Sequence, residues 1–499
     1  MGAVKALFLS SLLALTALLA QDKPDESRLY SYQVLQHQAQ LIMLREANLL
    51  EEQLARQLAK AIVEADRETR AEVRPLREDY GAFERRLIAK VGPEASRLHL
   101  GRSNNDLGAT SERLFLRDDT LDLLERLAEA RRTLLALATQ NVDTIIPGYT
   151  HMVQAQPTTL AHQIAAFVSA LERDDERLRE AYRRVDSSPL GVAAFTTSSF
   201  PLNRHRLAEL VGLTGLVENG YDAIMISTVD TKVEFAAALS LNALNIGRFI
   251  QQFLIQYSDS RPGITLADGA AGHSSIMPQK RNPSDGERIR VLCSSIVADA
   301  HAVALMAHNT PGGEHKDVRF ELLERVERVS RASNLMLAKL KSFTSTWRVH
   351  PERTRELVTQ DYSVMTELAD TLLREGNVPF RTGHQVAAAL ASYGRLHGKR
   401  PLDLSFDEFR AVYRKVTSHE APISELHFRR ALDREEFIRG RRGIGGPQPD
   451  EMRRQLKRHE HRLAELESWI AARRAAIRDT QEKREREFAK LQPVPESVP

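Results

Sequence analysis

The run TKVEFAAALSLNALNIGRFIQQFLIQY, residues Thr231 to Tyr257, decides the fold class. Val233, Phe235, Ala236, Ala237, Leu239, Leu241, Leu244, Ile246, Phe249, Ile250, Phe253 and Leu254 leave it little polar relief, so more than one face of the helix must be covered. A helix of that kind belongs inside a bundle. Leu160 to Arg184 and Gly286 to His308 are comparably long and lack internal proline, and three such helices predict a long central bundle. From about Ser31 onward the chain is rich in Ala, Leu, Glu, Arg and Gln and shows no sustained alternation of period two, which predicts an all-α protein.

At 499 residues the chain exceeds one ordinary hydrophobic core, so two or three structural units are expected. Lysine and arginine total 70 against 67 for aspartate and glutamate. So even a balance points neither to a nucleic-acid binder nor to a membrane-surface protein. Cys293 is the sole cysteine, which excludes an intrachain disulfide and a zinc site built from several thiolates, and leaves it the role of a small buried hydrophobe. At the N-terminus, Lys5 precedes an apolar run from Ala6 to Ala20 that is too short to span a bilayer. With Ala20 ahead of polar Gln21, Asp22, Lys23 and Pro24, it reads as a secretory signal, and a periplasmic or secreted mature protein is expected.

Proline and glycine punctuate the helices at Ile146-Pro147-Gly148, Ser188-Pro189-Leu190-Gly191, Arg261-Pro262-Gly263 and Thr310-Pro311-Gly312-Gly313, and each break is a candidate site loop. A glycine-dense stretch from Gly440 to Pro449 precedes a C-terminal helix in which Leu456, Leu463, Leu466, Ile470 and Ile477 fall near heptad spacing, as if to pack on a neighbour. The expected organisation is a signal (1–20), an N-terminal helical domain (21–108), a central bundle (109–360), a C-terminal helical domain (361–448), a helical extension (449–492) and a disordered tail (493–499).

The densest chemistry lies in Gly272-His273-Ser274-Ser275-Ile276-Met277-Pro278-Gln279-Lys280-Arg281-Asn282-Pro283. Two serines followed closely by a lysine and an asparagine place a possible proton acceptor beside donors for a developing anion, which is what proton abstraction next to a carboxylate requires. Two further motifs precede it: Gly101-Arg102-Ser103-Asn104-Asn105-Asp106, and Pro147 to Pro157 with Tyr149-Thr150-His151 and Gln156. All three, in this order, resemble the site regions of the fumarase/aspartase superfamily, and the Met-Pro-Gln-Lys-Arg-Asn-Pro wording is closest to its argininosuccinate lyase branch. Pro379-Phe380-Arg381-Thr382-Gly383-His384, and Gly445-Gly446 with Pro449, Met452, Arg453 and Gln455, resemble that branch's C-terminal part, so the resemblance spans roughly Gln33 to Gln455.

The resemblance implies a fumarase/aspartase-type central bundle flanked by two smaller helical domains, and a homotetramer in which each site combines motifs from three subunits. It implies a lyase that eliminates fumarate from a small-molecule N-substituted aspartate, using no cofactor and no metal. Ser274 would be the base, with Lys280 and Asn282 stabilising its alkoxide and the intermediate. His151 would pair with Glu287, either to protonate the leaving amine or to bind substrate. Ser103, Asn104, Asn105, Thr150, Gln156 and Lys316 are the remaining substrate-binding candidates. Arg102 and Asp106 could instead cap helices and pair with each other. His301, His308 and His315 are spaced by seven and lack the i, i+4 geometry of a helical metal site.

The chain departs from the branch where the pocket is expected. Asn104 stands where an arginine is usual, Gly81 where a histidine is expected, and His273 where a glycine precedes the serine pair. The run His308 to Lys316 keeps Asn309, Glu314 and Lys316 but loses a tyrosine and a glutamine. The elimination machinery is kept while the pocket is altered, which favours another N-substituted aspartate, such as an aminopolycarboxylate, over argininosuccinate. A noncatalytic helical scaffold is the rival class. It would be free to lose Ser274, Lys280, Asn282, His151 or Glu287, and all five are present.

Overall fold

The computed structural model describes residues 26–72, 80–312 and 316–492; the expected signal and tail lie outside them. Helices α1 (Glu26–Glu46), α2 (Glu52–Ala71) and α3 (Tyr80–Val91) lead through a 3-10 turn at Pro93–His99 into α4 (Asn104–Gln140). Strands β1 (Ile145–Thr150) and β2 (Val153–Thr159) form a hairpin that turns the chain into α5 (Leu160–Val185). Short β3 (Ser187–Ser188) pairs in parallel with β4 (Gly215–Leu216) around α6 (Arg204–Val211). One π-helical turn at Asp222–Ile226 then opens α7 (Ser227–Tyr257), the helix of the deciding run.

Beyond it come β5 (Ile264–Leu266), β6 (Gly272–His273), β7 (Arg281–Asn282), α8 (Ser284–Ala307), α9 (Lys316–Ser345) and β8 (Trp347–Val349). A separate helical unit follows: α10 (Pro351–Thr359), α11 (Met365–Gly376), α12 (Phe380–Leu396), α13 (Phe406–Thr417), α14 (Glu425–Leu432) and α15 (Arg434–Gly440). The last helix is α16 (Pro449–Ala489). The all-α expectation holds, and the strands are two-stranded pairs that brace turns.

Phe235, Leu239, Ile246 and Ile250 of α7 are fully buried, so the apolar run lies in the bundle as its composition requires. One continuous core joins α1–α3, the bundle and α16, while a second core gathers residues from Val358 to Ile438 with Ile145. Residue 108 falls inside α4, because a capping box of Ser103 and Asp106 starts that helix at Asn104. The expected helical extension forms α16, which lies against α4, α5, α6 and α1 of its own chain. Fully buried Arg131 of α4 pairs there with Glu172 and Asp175 of α5, and His459 of α16 meets the same Glu172 at 2.7 Å.

The bundle has two distinct ends. Arg113 of α4 donates to the Arg184 carbonyl at the end of α5 (2.8 Å) and to Ser227 Oγ at the start of α7 (2.9 Å), and Arg319 at the start of α9 donates to the Asn104 carbonyl (3.4 Å). At the other end lie the β1–β2 hairpin, the close of α7, the start of α8 and the β5–β8 pair. The 37 residues of α4 separate these ends by about 55 Å.

Candidate active site

At the hairpin end, Thr150 pairs with Val153, and the two residues between them, His151 and Met152, both take positive φ (52° and 63°). Such a two-residue turn follows the right-handed twist of the strands, and it holds His151 at an exposed tip. The serine loop is closed the same way. Gly272 pairs with Asn282 and His273 with Arg281, so Ser274 to Lys280 project from a two-rung ladder. Arg281 pins the base of the loop by donating to Asp268 (2.9 Å) and to the Leu266 carbonyl (2.9 Å), and Tyr257 donates to the Arg281 carbonyl (3.1 Å).

Within the loop, Ser274 Oγ accepts from the backbone N–H groups of Met277 (3.0 Å) and Ile276 (3.4 Å). Donors aimed at a hydroxyl oxygen favour its anionic form, the state required of a serine base. Lys280 is exposed on the same loop, Asn282 is partly buried at its base, and Glu287 is exposed in the first turn of α8. Among the described residues no hydrogen bond or ion pair joins His151 to Glu287 within the chain. Gln156 donates to Thr366 Oγ1 (3.3 Å) and, with Thr150 and the Gly443–Gly446 turn, lines a cleft of about 700 Å³. A second cleft, about 1060 Å³, opens beneath His151 and Met152 against α7 and α8. Cys293 lines it but is buried, and burial pushes its thiol up to about 12, leaving it inert near neutral pH.

The Asn104 end is built differently. Ser103 Oγ accepts from the Asn105 N–H (3.3 Å), while buried Asp106 accepts from the N–H groups of Ser103 (2.9 Å), Gly191 (2.9 Å) and Ala193 (3.2 Å). Burial pushes the Asp106 carboxyl up to about 6, against the pull of those N–H groups and of Arg102. Asp106 therefore caps its helix, as the structural alternative held, but Arg102 does not pair with it. Arg102 turns to His37 Nδ1 (3.1 Å) and lies over the Tyr80 ring (5.3 Å), which stacks on His99 (4.1 Å). Asn104 is exposed and Asn105 partly so. The side chain of Lys316, and residues 313–315, lie outside the described residues.

Sequence reasoning missed Arg319, His37 and His99. Gly108, a glycine inside a helix, was the available signal for the first. A Cβ there would land on the Arg319 guanidinium. The motifs therefore divide, with Thr150, His151, Gln156, Ser274, Lys280, Asn282 and Glu287 at one end and Ser103, Asn104 and Asn105 at the other. About 55 Å of helix keeps the two groups apart within one chain.

Residues 23–298 match the family described as Lyase, and residues 362–439 match the family described as Argininosuccinate lyase C-terminal. The chain is 35% identical to the argininosuccinate lyase of Methanosarcina acetivorans over 79% of each chain. It is 34% identical to argininosuccinate lyase 2 of Agrobacterium fabrum over 86% of each. Among solved structures, EDDS lyase in complex with formate superposes with a TM-score of 0.88 at 25% identity, covering 96% of this chain and 95% of that one.

Proposed function

This chain belongs to the argininosuccinate lyase-like branch of the fumarase/aspartase superfamily, and from that premise we propose that it is a carbon–nitrogen lyase releasing fumarate from an N-substituted aspartate. The observation that carries the chemistry is the pair of N–H groups on Ser274 Oγ. Ser274 removes the proton from the carbon beside a carboxylate, and the electron pair moves into that carboxylate. Lys280 and Asn282 hold the added charge. The pair then returns to form the double bond as the C–N bond breaks, and the nitrogen leaves with a proton. His151 supplies that proton or grips the substrate.

The separation of the two ends supports sites assembled from several copies of the chain, and the bundle surface supports a homotetramer. Helix α8 is apolar enough by length and composition to cross a membrane, yet only 28% of its most apolar window is buried in the single chain. Val291 and Leu305 on it, and Leu244 on α7, stand exposed. Other bundles of the same kind would cover them. Export to the periplasm rests on the Lys5 and Ala6–Ala20 pattern. The family match begins at residue 23, beside the proposed cleavage point at Ala20.

Argininosuccinate is the family default as substrate, and an aminopolycarboxylate is the second reading. The latter is favoured by Asn104 in place of an arginine and by the likeness to EDDS lyase. Incubating the mature protein with a panel of N-substituted aspartates and following fumarate absorbance tests both. Fumarate from at least one is expected, with argininosuccinate among the poorer. No fumarate from any would overturn the lyase reading.

A further inference from the structure

Two irregular pieces of backbone meet at the Asn104 end. Between α5 and α6 the chain closes a turn from Val192 to Thr197, in which the Thr197 N–H donates to the Val192 carbonyl (2.8 Å). Ala193 and Thr197 both take positive φ (53° and 64°), a conformation strained for alanine and more so for a β-branched threonine. Buried Asp106, in the first turn of α4, holds that strain in place by accepting the N–H groups of Gly191 and Ala193, and strain of this kind collects at sites of function. The second piece is the π-helical turn at Asp222–Ile226, an irregularity that marks such sites as well. Ala109 of α4, Val192, Ala223 and Ile224 form one small core that joins both pieces to α4. Each piece presents an aromatic ring. Phe195 belongs to the turn and Tyr221 caps the π-helical segment, and the two rings meet edge to face at 5.8 Å. The Phe195 carbonyl fills the place of a Cβ on Gly220, and a Cβ on Gly312 would stand 3.0 Å from the Tyr221 hydroxyl. Both rings stay open, Phe195 at 37% and Tyr221 at 49% exposure.

We infer that Phe195 and Tyr221 are specificity-determining residues that form an apolar wall for the amine half of the substrate. The inference rests on the C–N lyase reading above and deepens it: whatever polar groups the nitrogen substituent carries, it also brings a hydrocarbon or a ring to this wall. The succinyl half is carboxylate at both ends, and two exposed rings offer it nothing. An aromatic pair fixed on braced backbone gains from covering an apolar group, because it gives up water while losing little conformational freedom.

The test compares N-benzylaspartate with N-methylaspartate, which share the succinyl half and the secondary amine. The intact protein should prefer the benzyl compound by roughly tenfold to a hundredfold in kcat/KM, expressed chiefly in KM. Phe195→Ala and Tyr221→Ala should each lower that ratio, and the double variant should abolish the preference. Phe195→Leu, which keeps apolar bulk in the turn, should retain part of it, and Tyr221→Phe, which keeps the ring, should leave it unchanged. Sedimentation of every variant accompanies the kinetics. A ratio unchanged in the double variant, no preference for the benzyl compound in the intact protein, or loss of subunit assembly in place of a changed ratio overturns the inference and leaves the lyase reading standing. Absence of fumarate from every N-substituted aspartate overturns the lyase reading itself.

Discussion

The two ends of the bundle carry the two groups of candidate site residues but are built on opposite principles. At the hairpin end the reactive groups sit on exposed tips. His151 stands on a two-residue turn and Ser274 on a loop zipped by two residue pairs, and the bonds that hold each tip are local. At the Asn104 end the site residues crown a buried base, where Asp106 ties α4 to the loop at Gly191 and Ala193 and Arg102 is wedged among aromatic rings. Exposed tips can be completed by another subunit and can be altered without touching the core. Changes at the buried base propagate into stability.

The contrast breaks most sharply at Ser274. Ser274→Ala should lower turnover by about 10²-fold to 10⁴-fold, while Tm stays within the scatter of surface substitutions. Fumarate release and thermal melting, measured side by side, decide it. Near-normal turnover would remove the base assignment. Mixing Ser274→Ala protein with Asn105→Ala protein, each defective at a different end, should return activity after subunit exchange, because some sites then collect an intact tip from one chain and an intact base from another. Fully exchanged mixtures that stay inactive would mean that the ends do not serve a common site.

At the base the expected signature reverses. Asp106→Ala removes a helix cap and strands the N–H groups of Gly191 and Ala193, at a cost of about 2–4 kcal/mol, so Tm and activity should fall together. The smallest effect is on acid stability. Burial, then the nearby Arg102, pushes His99 from its ordinary 6.5 down to about 4. Between those values the unfolded chain takes up a proton that the folded chain refuses, so stability falls as pH drops. Asp106, displaced upward, works in the opposite sense, so the comparison must isolate His99. Relative to the wild type, His99→Gln should gain about 1 kcal/mol on going from pH 7 to pH 5 once solvent screening is allowed for. Parallel denaturation midpoints at both pH values would show His99 to be electrostatically idle.

The long bundle helices were legible because their apolar periodicity is strong. Leu160–Val185, Ser227–Tyr257 and Ser284–Ala307 begin and end within a few residues of the sequence reading. The hairpin ladders were not: β6 and β7 are two residues long and carry no period, and the β1–β2 ladder is interrupted at Pro147 and Gly148, which read only as a break. The reactive residues were legible as motifs. Their partition between two ends followed only from the length and direction of α4. Arg319 is beyond any local reading, because its partners Asn104 and Glu112 lie more than two hundred residues earlier in the chain.

Helix α16 bears on how the molecule comes into being. Met452, Leu456, Leu463, Leu466, Ile470 and Phe488 are buried against helices completed far earlier in the chain, and His459 reaches Glu172 across 287 positions. During translation the flank of α4 and α5 stays wet, with Arg131 and its carboxylates solvated, until the final forty or so residues leave the ribosome. A nascent chain is thus kept from sealing its core before synthesis ends.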